Sequence, residues 1–204
     1  MPIVQRYLDE KVRVLPPADL KDLLLAPYYG WLVEILTESL RPDTASGEAP
    51  EAPRYEQNRG PGSTGDVSFW TSKDVREVHK CHLNYAVADT LRWEQSATYY
   101  IDTHPVTAAF VKNAGLGFAI PYLNNGQMHD YVPDFIVRLK TEPALYVILE
   151  TKGYDEKEEI KVSAARRWVN AVNANGAYGR WAYAVAKKPT DVVQIIDKLS
   201  RSGS

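Results

Sequence analysis

Three residues of this chain have side-chain types and a spacing that suit metal-assisted hydrolysis of a phosphodiester. Asp134 lies in an apolar run after Pro133, and Glu150 is followed two positions later by Lys152. Side chains two positions apart in a strand point to the same side of a sheet, so Glu150 and Lys152 are predicted to face one edge together. An acid inside an apolar run is costly without a partner. We therefore expect Asp134 to meet the other two residues at that edge.

Two carboxylates beside one ammonium group suggest a specific chemistry. Carboxylate oxygens are the hard ligands that Mg²⁺ prefers, so Asp134 and Glu150 are the predicted metal ligands, with Mn²⁺ as a substitute ion. A bound divalent ion acidifies water and neutralises charge on a phosphodiester. Lys152 would position the attacking water or stabilise the pentavalent phosphate. A structural alternative stays open, in which the two acids form salt bridges with Lys152 and Arg138.

Glu94 is the candidate for a further catalytic acid. It lies in the run LRWEQ and shares a predicted helical face with Val87 and Leu91, which would point it inward. The alternative is a surface salt bridge with Arg92. Three basic residues on a later predicted helix could contact phosphate or form an ordinary solvated face: Lys161, Arg166 and Arg167.

The predicted elements would place these residues on one sheet. We predict strands at residues 117–123, 131–139, 145–150 and 180–186, with a hairpin turn at 124–127. Helices are predicted at 72–101, 105–113 and 156–173, and from Thr190 to about residue 199. The expected fold class is α/β, with a mixed central sheet in the order α-β-β-β-α-β.

The front of the chain has a different character. Two helices are predicted at residues 18–25 and 28–40, and residues 41–66 mix prolines and glycines in the manner of a loop or linker. We therefore predict an N-terminal helical extension with its linker over 1–70 and one α/β domain over 71–204.

Composition indicates the class of protein and the cellular compartment to expect. The chain has 204 residues, 45% of them hydrophobic and 25% charged, as is usual for a globular protein. The sequence contains neither an apolar run long enough to span a membrane nor a recognisable signal peptide. Its single cysteine, Cys81, is typical of a reducing compartment. We therefore expect a cytoplasmic location without membrane contact. A net charge of −2 argues against strong stand-alone binding of nucleic acid.

Longer stretches of the sequence carry a family resemblance. They include LLLAPYYGWLVEIL, VKNAGLGFAIPYLNNGQMHDYVPDFIVRL and LYVILETKGYD, within a similarity that covers most of residues 20–186. These stretches resemble the C-terminal endonuclease domain of Res-like subunits of type III restriction enzymes, in the PD-(D/E)xK nuclease superfamily. The resemblance implies a restriction-endonuclease-like fold and Mg²⁺-dependent DNA cleavage, with Asp134, Glu150 and Lys152 on the PD…ExK pattern.

The same resemblance implies partners. The substrate would be double-stranded DNA, a helicase or translocase region would precede the nuclease, and a methyltransferase subunit would read the recognition site. Cutting both strands needs two sites, which a transient dimer would supply. A second hypothesis is a non-catalytic docking or DNA-clamp module, in which residues 18–70 pack on the motor.

Overall fold

The structure, a computed structural model, describes residues 2–39, 63–87, 93–124, 127–151 and 158–201. The chain forms two compact units, Met1–Ser39 and Leu40–Ser204. Most of the predicted linker, residues 40–62, lies outside the described residues. The domain boundary proposed at residue 70 therefore stays a prediction.

The first unit is helical. It contains α1 (Pro2–Lys11), a 3-10 helix (Leu20–Leu24) and α2 (Tyr28–Ser39). A reciprocal cap begins the 3-10 helix: the Asp19 side chain accepts from the backbone of Lys21, and the Asp22 side chain accepts from the backbone of Asp19. The two helices predicted at 18–25 and 28–40 are present, the first of them as 3-10 helix.

The second unit mixes helices and strands. Its helices are α3 (Trp93–Thr103), α4 (Glu158–Asn175) and α5 (Asp191–Arg201), with a turn of 3-10 helix at Thr64–Asp66. Its strands are β1 (Val75–Glu77), β2 (Tyr85–Val87), β3 (Thr107–Lys112), β4 (Ile120–Asn124), β5 (Gln127–Tyr131), β6 (Phe135–Leu139), β7 (Leu145–Thr151) and β8 (Arg180–Ala186). The expected α/β class is confirmed. In the part of the chain that the structure describes, every helix is too short or too polar to cross a membrane.

Four strands form the central sheet, in the order β3-β6-β7-β8. The pairs β3–β6 and β6–β7 are antiparallel, whereas β7 and β8 run parallel, so the sheet is mixed. A parallel pair needs a crossover connection, which α4 supplies. Strand β7 has a neighbour on each side and is buried along most of its length, which explains its almost wholly apolar sequence.

Side chains of β7 alternate between two hydrophobic clusters. Leu145, Val147 and Leu149 join residues of α3 and α5, including Ala97 and Ile196, on what we call the α3 face. Ile148 joins residues of α4 and of the β4–β5 hairpin, including Trp168 and Tyr131, on the α4 face. The alternation continues past Leu149, so Glu150 lies on the α4 face and Thr151 on the α3 face.

Residues 107–112, predicted as part of a helix over 105–113, form strand β3. A proline and a glycine near its ends suggested helix boundaries, and two alanines have high helix propensity. Pairing with β6 decides otherwise, because it buries Phe110 with its ring centroid 6.3 Å from that of Phe135. The helix prediction was wrong here, and β3 takes the first strand position in the α-β-β-β-α-β order of the sheet.

Residues 75–87, predicted as the first half of a helix over 72–101, form the antiparallel pair β1–β2. In the described residues of this region the helix is α3, from Trp93, so the helix prediction agrees with the structure from there on and fails over 75–87. A distant residue holds the connection between β1 and β2: the Asp102 carboxylate accepts from the backbone N–H groups of His79 at 3.0 Å and Lys80 at 2.8 Å. Periodicity within the segment does not record that contact, and the helix prediction was wrong over 75–87.

The strand predicted over 131–139 is interrupted before Asp134. Strand β5 ends at Tyr131 and β6 begins at Phe135. Pro133 has no N–H for a ladder, and Asn113 holds the interruption by donating from Nδ2 to the Pro133 carbonyl at 2.9 Å. Asp134 therefore lies at the end of the sheet, immediately before β6.

The central residues of the predicted turn at 124–127, residues 125 and 126, lie outside the described residues. The strands on either side, β4 and β5, are antiparallel with Asn124 opposite Gln127 and form a two-stranded sheet of their own, so the prediction that strand 117–123 belongs to the central sheet was wrong. Three side chains at the base of the hairpin are buried in the α4-face cluster: Ile120, Tyr122 and Tyr131. The hairpin consequently covers the end of the central sheet where Glu150 lies.

Candidate active site

Asp134 is held by donors from two neighbouring strands. Its Oδ2 accepts from the backbone N–H of Thr151 at 2.8 Å and from the Thr151 hydroxyl at 2.6 Å. Its Oδ1 lies 3.4 Å from Nζ of Lys112, and its side chain is 20% exposed. The carboxylate thus bridges the ends of β7 and β3 and keeps some access to solvent.

Glu150 is adjacent to Asp134 although 16 positions separate them. The register that places Phe135 opposite Leu149 brings the two acids to the same end of β6 and β7. Glu150 is buried, and its Oε2 lies 3.3 Å from the backbone nitrogen of Asp134, which donates to it. This contact is made by the backbone of Asp134, whereas the Asp134 carboxylate contacts Thr151 and Lys112. That the two carboxylates meet at one site stays a prediction. Their role in metal binding stays a prediction.

Tyr131 positions the Glu150 carboxylate. Its hydroxyl donates to Oε2 at 2.6 Å, and the Tyr183 hydroxyl lies 3.4 Å away. Burial raises the pKa of Tyr131 well above its usual range, and the charge of Glu150 raises it further. The phenol therefore keeps its proton and remains a donor. Sequence reasoning missed this role, although a tyrosine closing an alternating strand was a visible signal.

Lys112 is a buried cation between two acids. Its Nζ lies 3.0 Å from Oε2 of Glu94 and 3.4 Å from Oδ1 of Asp134, and 4.9 Å from the centre of the Phe135 ring. The residue is 4% exposed. The sequence analysis missed it because residues 105–113 read as a helix. A lysine closing the apolar run of a strand would have been the signal, since a buried charge needs a partner.

Glu94 lies in the first turn of α3 and is buried. It points inward as expected, but the reason differs from the predicted one. Val87 belongs to β2, Leu91 lies outside the described residues, and the face that Glu94 shares includes Ala97 and Ile101 of the α3-face cluster. Its carboxylate also lies near a helix N-terminus, where negative charge is favoured.

Lys152 falls just outside the described residues, which resume at 158. It directly follows Thr151, the last residue of β7. Its proposed contact with phosphate or water remains a prediction.

The charged and hydrogen-bonding side chains near Asp134 lie on the two opposite faces of the central sheet. Glu94, Lys112 and Thr151 belong to the α3 face, whereas Glu150 and Tyr131 belong to the α4 face. Within the described residues no three side chains of His, Cys, Asp or Glu are arranged as a ready metal site. The donors nevertheless fit Mg²⁺ by type, because they are hard carboxylate oxygens and because two of them already hold a cation, the Lys112 ammonium.

Helix α4 brings a basic side chain close to this group. Lys161 Nζ lies 6.0 Å from the centre of the Tyr131 ring, on the face where Tyr131 contacts Glu150. Arg167 donates to the Pro121 carbonyl at 3.3 Å, beside the hairpin. Of the basic residues considered on this helix, Lys161 thus lies near Tyr131, whose hydroxyl donates to Glu150, and Arg167 contacts the hairpin.

Comparisons of this chain with models of protein families, with curated proteins and with solved structures found no match.

Proposed function

We propose that this chain is a Mg²⁺-dependent DNA endonuclease domain of a type III restriction-like system, built on a restriction-endonuclease-like core. The observation that supports this most directly is the 3.3 Å contact between the Asp134 backbone nitrogen and Glu150 Oε2, at the end of the sheet where β6 begins and β7 ends. Two acids distant in sequence are thereby neighbours, beside the position where Lys152 follows β7 in the chain. The substrate would be double-stranded DNA, with a translocase region and a methyltransferase as partners.

In this proposal, each side chain of the site would have a separate role. Asp134 and Glu150 would hold the ion, which when bound would acidify water and neutralise charge on the phosphodiester. Tyr131 and Thr151 would orient the two carboxylates through the hydrogen bonds described above. Lys152 would contact the phosphate or the attacking water, and Glu94 would act as a further acid.

The test of this function is a plasmid-nicking assay with Mg²⁺, Mn²⁺ or EDTA, with the chain alone and with a type III motor and methyltransferase supplied. Asp134→Asn and Glu150→Gln preserve shape and hydrogen-bonding oxygens but remove charge. We expect each to lower cleavage at least about 100-fold, because Mg²⁺ accepts few substitutes for a carboxylate. Asp130→Asn is the matched control, since Asp130 is an exposed acid in β5.

Two results would contradict the nuclease proposal. One is undiminished cutting by both the Asp134 and Glu150 variants when the parent is active. The other is a parent that stays inactive with all the partners present and Mg²⁺ supplied.

A docking or DNA-clamp module is the second candidate, favoured by the surface of the first unit. Several large apolar side chains there are exposed, including Leu24 at 72%, Leu25 at 59% and Trp31 at 55%. Exposed apolar groups of this kind often mark a protein-binding surface. DNA binding without cleavage under every condition of the nicking assay, together with binding to the motor, would favour this function.

A further inference from the structure

We propose that the Lys112 ammonium is an internal counter-ion of Glu94 and Asp134, which competes with a divalent cation for the Asp134 carboxylate and thereby sets the cation affinity of the site. The inference rests on the proposed function for the identity of the site. It goes beyond that function by assigning a role to a lysine outside the predicted catalytic set.

The chemistry of the contacts supports exchange of one cation for another. Nζ of Lys112 is held by carboxylate oxygens of two different elements, α3 and the segment before β6, and is buried at 4% exposure. An ammonium offers three donors to such oxygens and a Mg²⁺ ion offers coordination sites to the same atoms. The two cations therefore compete for Asp134, which is one of the two proposed metal ligands.

The contacts also indicate how Lys112 moves away from Asp134. Its distance of 3.4 Å to Asp134 is longer than the 3.0 Å to Glu94, and longer than usual for a charge-assisted hydrogen bond. A lysine carries its charge on a flexible four-carbon stem, and the Phe135 ring, 4.9 Å from Nζ, offers a second contact for the ammonium. Lys112 can therefore leave Asp134 while it stays close to the site.

The test compares ion binding in Lys112→Met, Lys112→Arg and the parent chain. Methionine keeps the apolar stem and removes the charge, whereas arginine keeps the charge. Lys80→Met is the matched control, because Lys80 is a half-buried lysine whose ammonium donates to the His104 carbonyl. Titration calorimetry with Mg²⁺ and with Mn²⁺ gives the affinities, and thermal melts with and without each ion give the stabilities.

We expect Lys112→Met to bind the ions at least about tenfold more tightly than the parent, because a unit charge within about 4 Å opposes a divalent cation strongly. Without ions it should melt at a lower temperature than the parent, since two acids lose their counter-charge, and Mg²⁺ should raise its melting temperature by more. Lys112→Arg and Lys80→Met should not tighten binding.

A second measurement uses the parent alone and does not depend on the variant folding. Reductive methylation followed by mass spectrometry reports the access of each ammonium to reagent. Mg²⁺ should increase the labelling of Lys112 several-fold and leave Lys80 unchanged. Unchanged labelling of Lys112, or no tightening of ion binding in a folded Lys112→Met, overturns the counter-ion proposal.

Failure of this proposal is distinguishable from failure of the nuclease proposal. Cleavage that depends on Asp134 and Glu150, with the same ion affinity in Lys112→Met and parent, would overturn the counter-ion and leave the nuclease. Tighter ion binding by Lys112→Met in a protein that never cuts DNA would overturn the nuclease proposal and support the counter-ion proposal. Absence of ion binding from the parent and from Lys112→Met alike overturns the counter-ion proposal.

Discussion

Each of the two central carboxylates has its own neutral side-chain donor. The Thr151 hydroxyl donates to Asp134, and the Tyr131 hydroxyl donates to Glu150. Hydrogen bonds to a charged acceptor are shorter and stronger than those between neutral groups, and both distances are 2.6 Å. These donors fix the direction in which each carboxylate presents its oxygens, so they are positioning residues for the proposed site.

Replacing Tyr131 by phenylalanine tests this positioning role. We expect Tyr131→Phe to lose about 1–3 kcal/mol of unfolding free energy at neutral pH, because buried Glu150 loses a donor. We also expect a lower cleavage rate and weaker Mg²⁺ binding, since the carboxylate is less well oriented. Denaturant unfolding and the nicking assay measure these effects, and Tyr122→Phe removes a hydroxyl from the same hairpin as a control. A variant as stable and as active as Tyr122→Phe would refute the positioning role.

The stability of Tyr131→Phe should also depend on pH differently from the stability of the parent. The pKa of Tyr131 is raised in the folded protein, so above the usual value of 10.0 the unfolded chain releases a proton that the folded chain retains. The resulting stability is present below pH 10 and is lost as pH rises beyond it. Tyr131→Phe should therefore lose stability less steeply above pH 10 than the parent does.

At the scale of elements, the two opposite ends of the central sheet are shaped by the segments that connect its strands. Asn113 ends β3 and holds the interruption before β6, and α4 returns the chain to β8 through a loop with two glycines at positive φ, Gly176 and Gly179. Asn173 of α4 closes that loop through two hydrogen bonds with the Trp181 backbone, at 2.7 and 2.8 Å. This loop sets where β8 begins beside β7.

The two loop glycines provide a matched pair of substitutions. Both have φ above +70°, where alanine is disfavoured by about 1–2 kcal/mol. A Cβ at Gly176 would meet open space, whereas one at Gly179 would lie 3.2 Å from the Tyr146 ring, which stacks on Trp181. We expect Gly176→Ala to cost about 1 kcal/mol of unfolding free energy and Gly179→Ala at least about 2 kcal/mol, measured by denaturant unfolding. Equal losses of unfolding free energy in the two variants would show that the Tyr146 ring moves aside for the new methyl group.

At the scale of the whole molecule, charge limits what the isolated chain can do. Its net charge is −2 and its pI is about 6.1, whereas DNA binding depends strongly on phosphate contacts by basic side chains. A nuclease of this composition would need a partner to supply most of its affinity. In the proposed function, the motor and the methyltransferase would have that role.

The division into two compact units predicts a proteolysis pattern. The sequence of residues 41–66 is rich in proline and glycine, and loop segments of this composition are preferred cleavage sites. We expect limited proteolysis to cut first within 41–66 and to leave a resistant fragment that contains residues 117–186. Mass spectrometry of the early fragments measures this. Early cuts inside 117–186 with 41–66 intact would contradict the predicted layout.

The sequence by itself determined the features that depend on local pattern. The apolar run of β7, the amphipathic α4 and strand β8 were all visible, because each signal lies within its own segment. That Asp134 and Glu150 lie at the same end of the sheet followed from these elements, since two antiparallel strands of similar length place the start of one beside the end of the other.

Only the tertiary structure decided which segment is β3 and what neutralises the acids. Residues 107–112 have mixed local preferences, and their pairing with β6 outweighs the helix propensity of the two alanines. That pairing carries Lys112 between Glu94 and Asp134, which come from positions 18 and 22 residues away on either side. Contacts over such distances depend on how elements pack, and a pattern within one segment does not encode them.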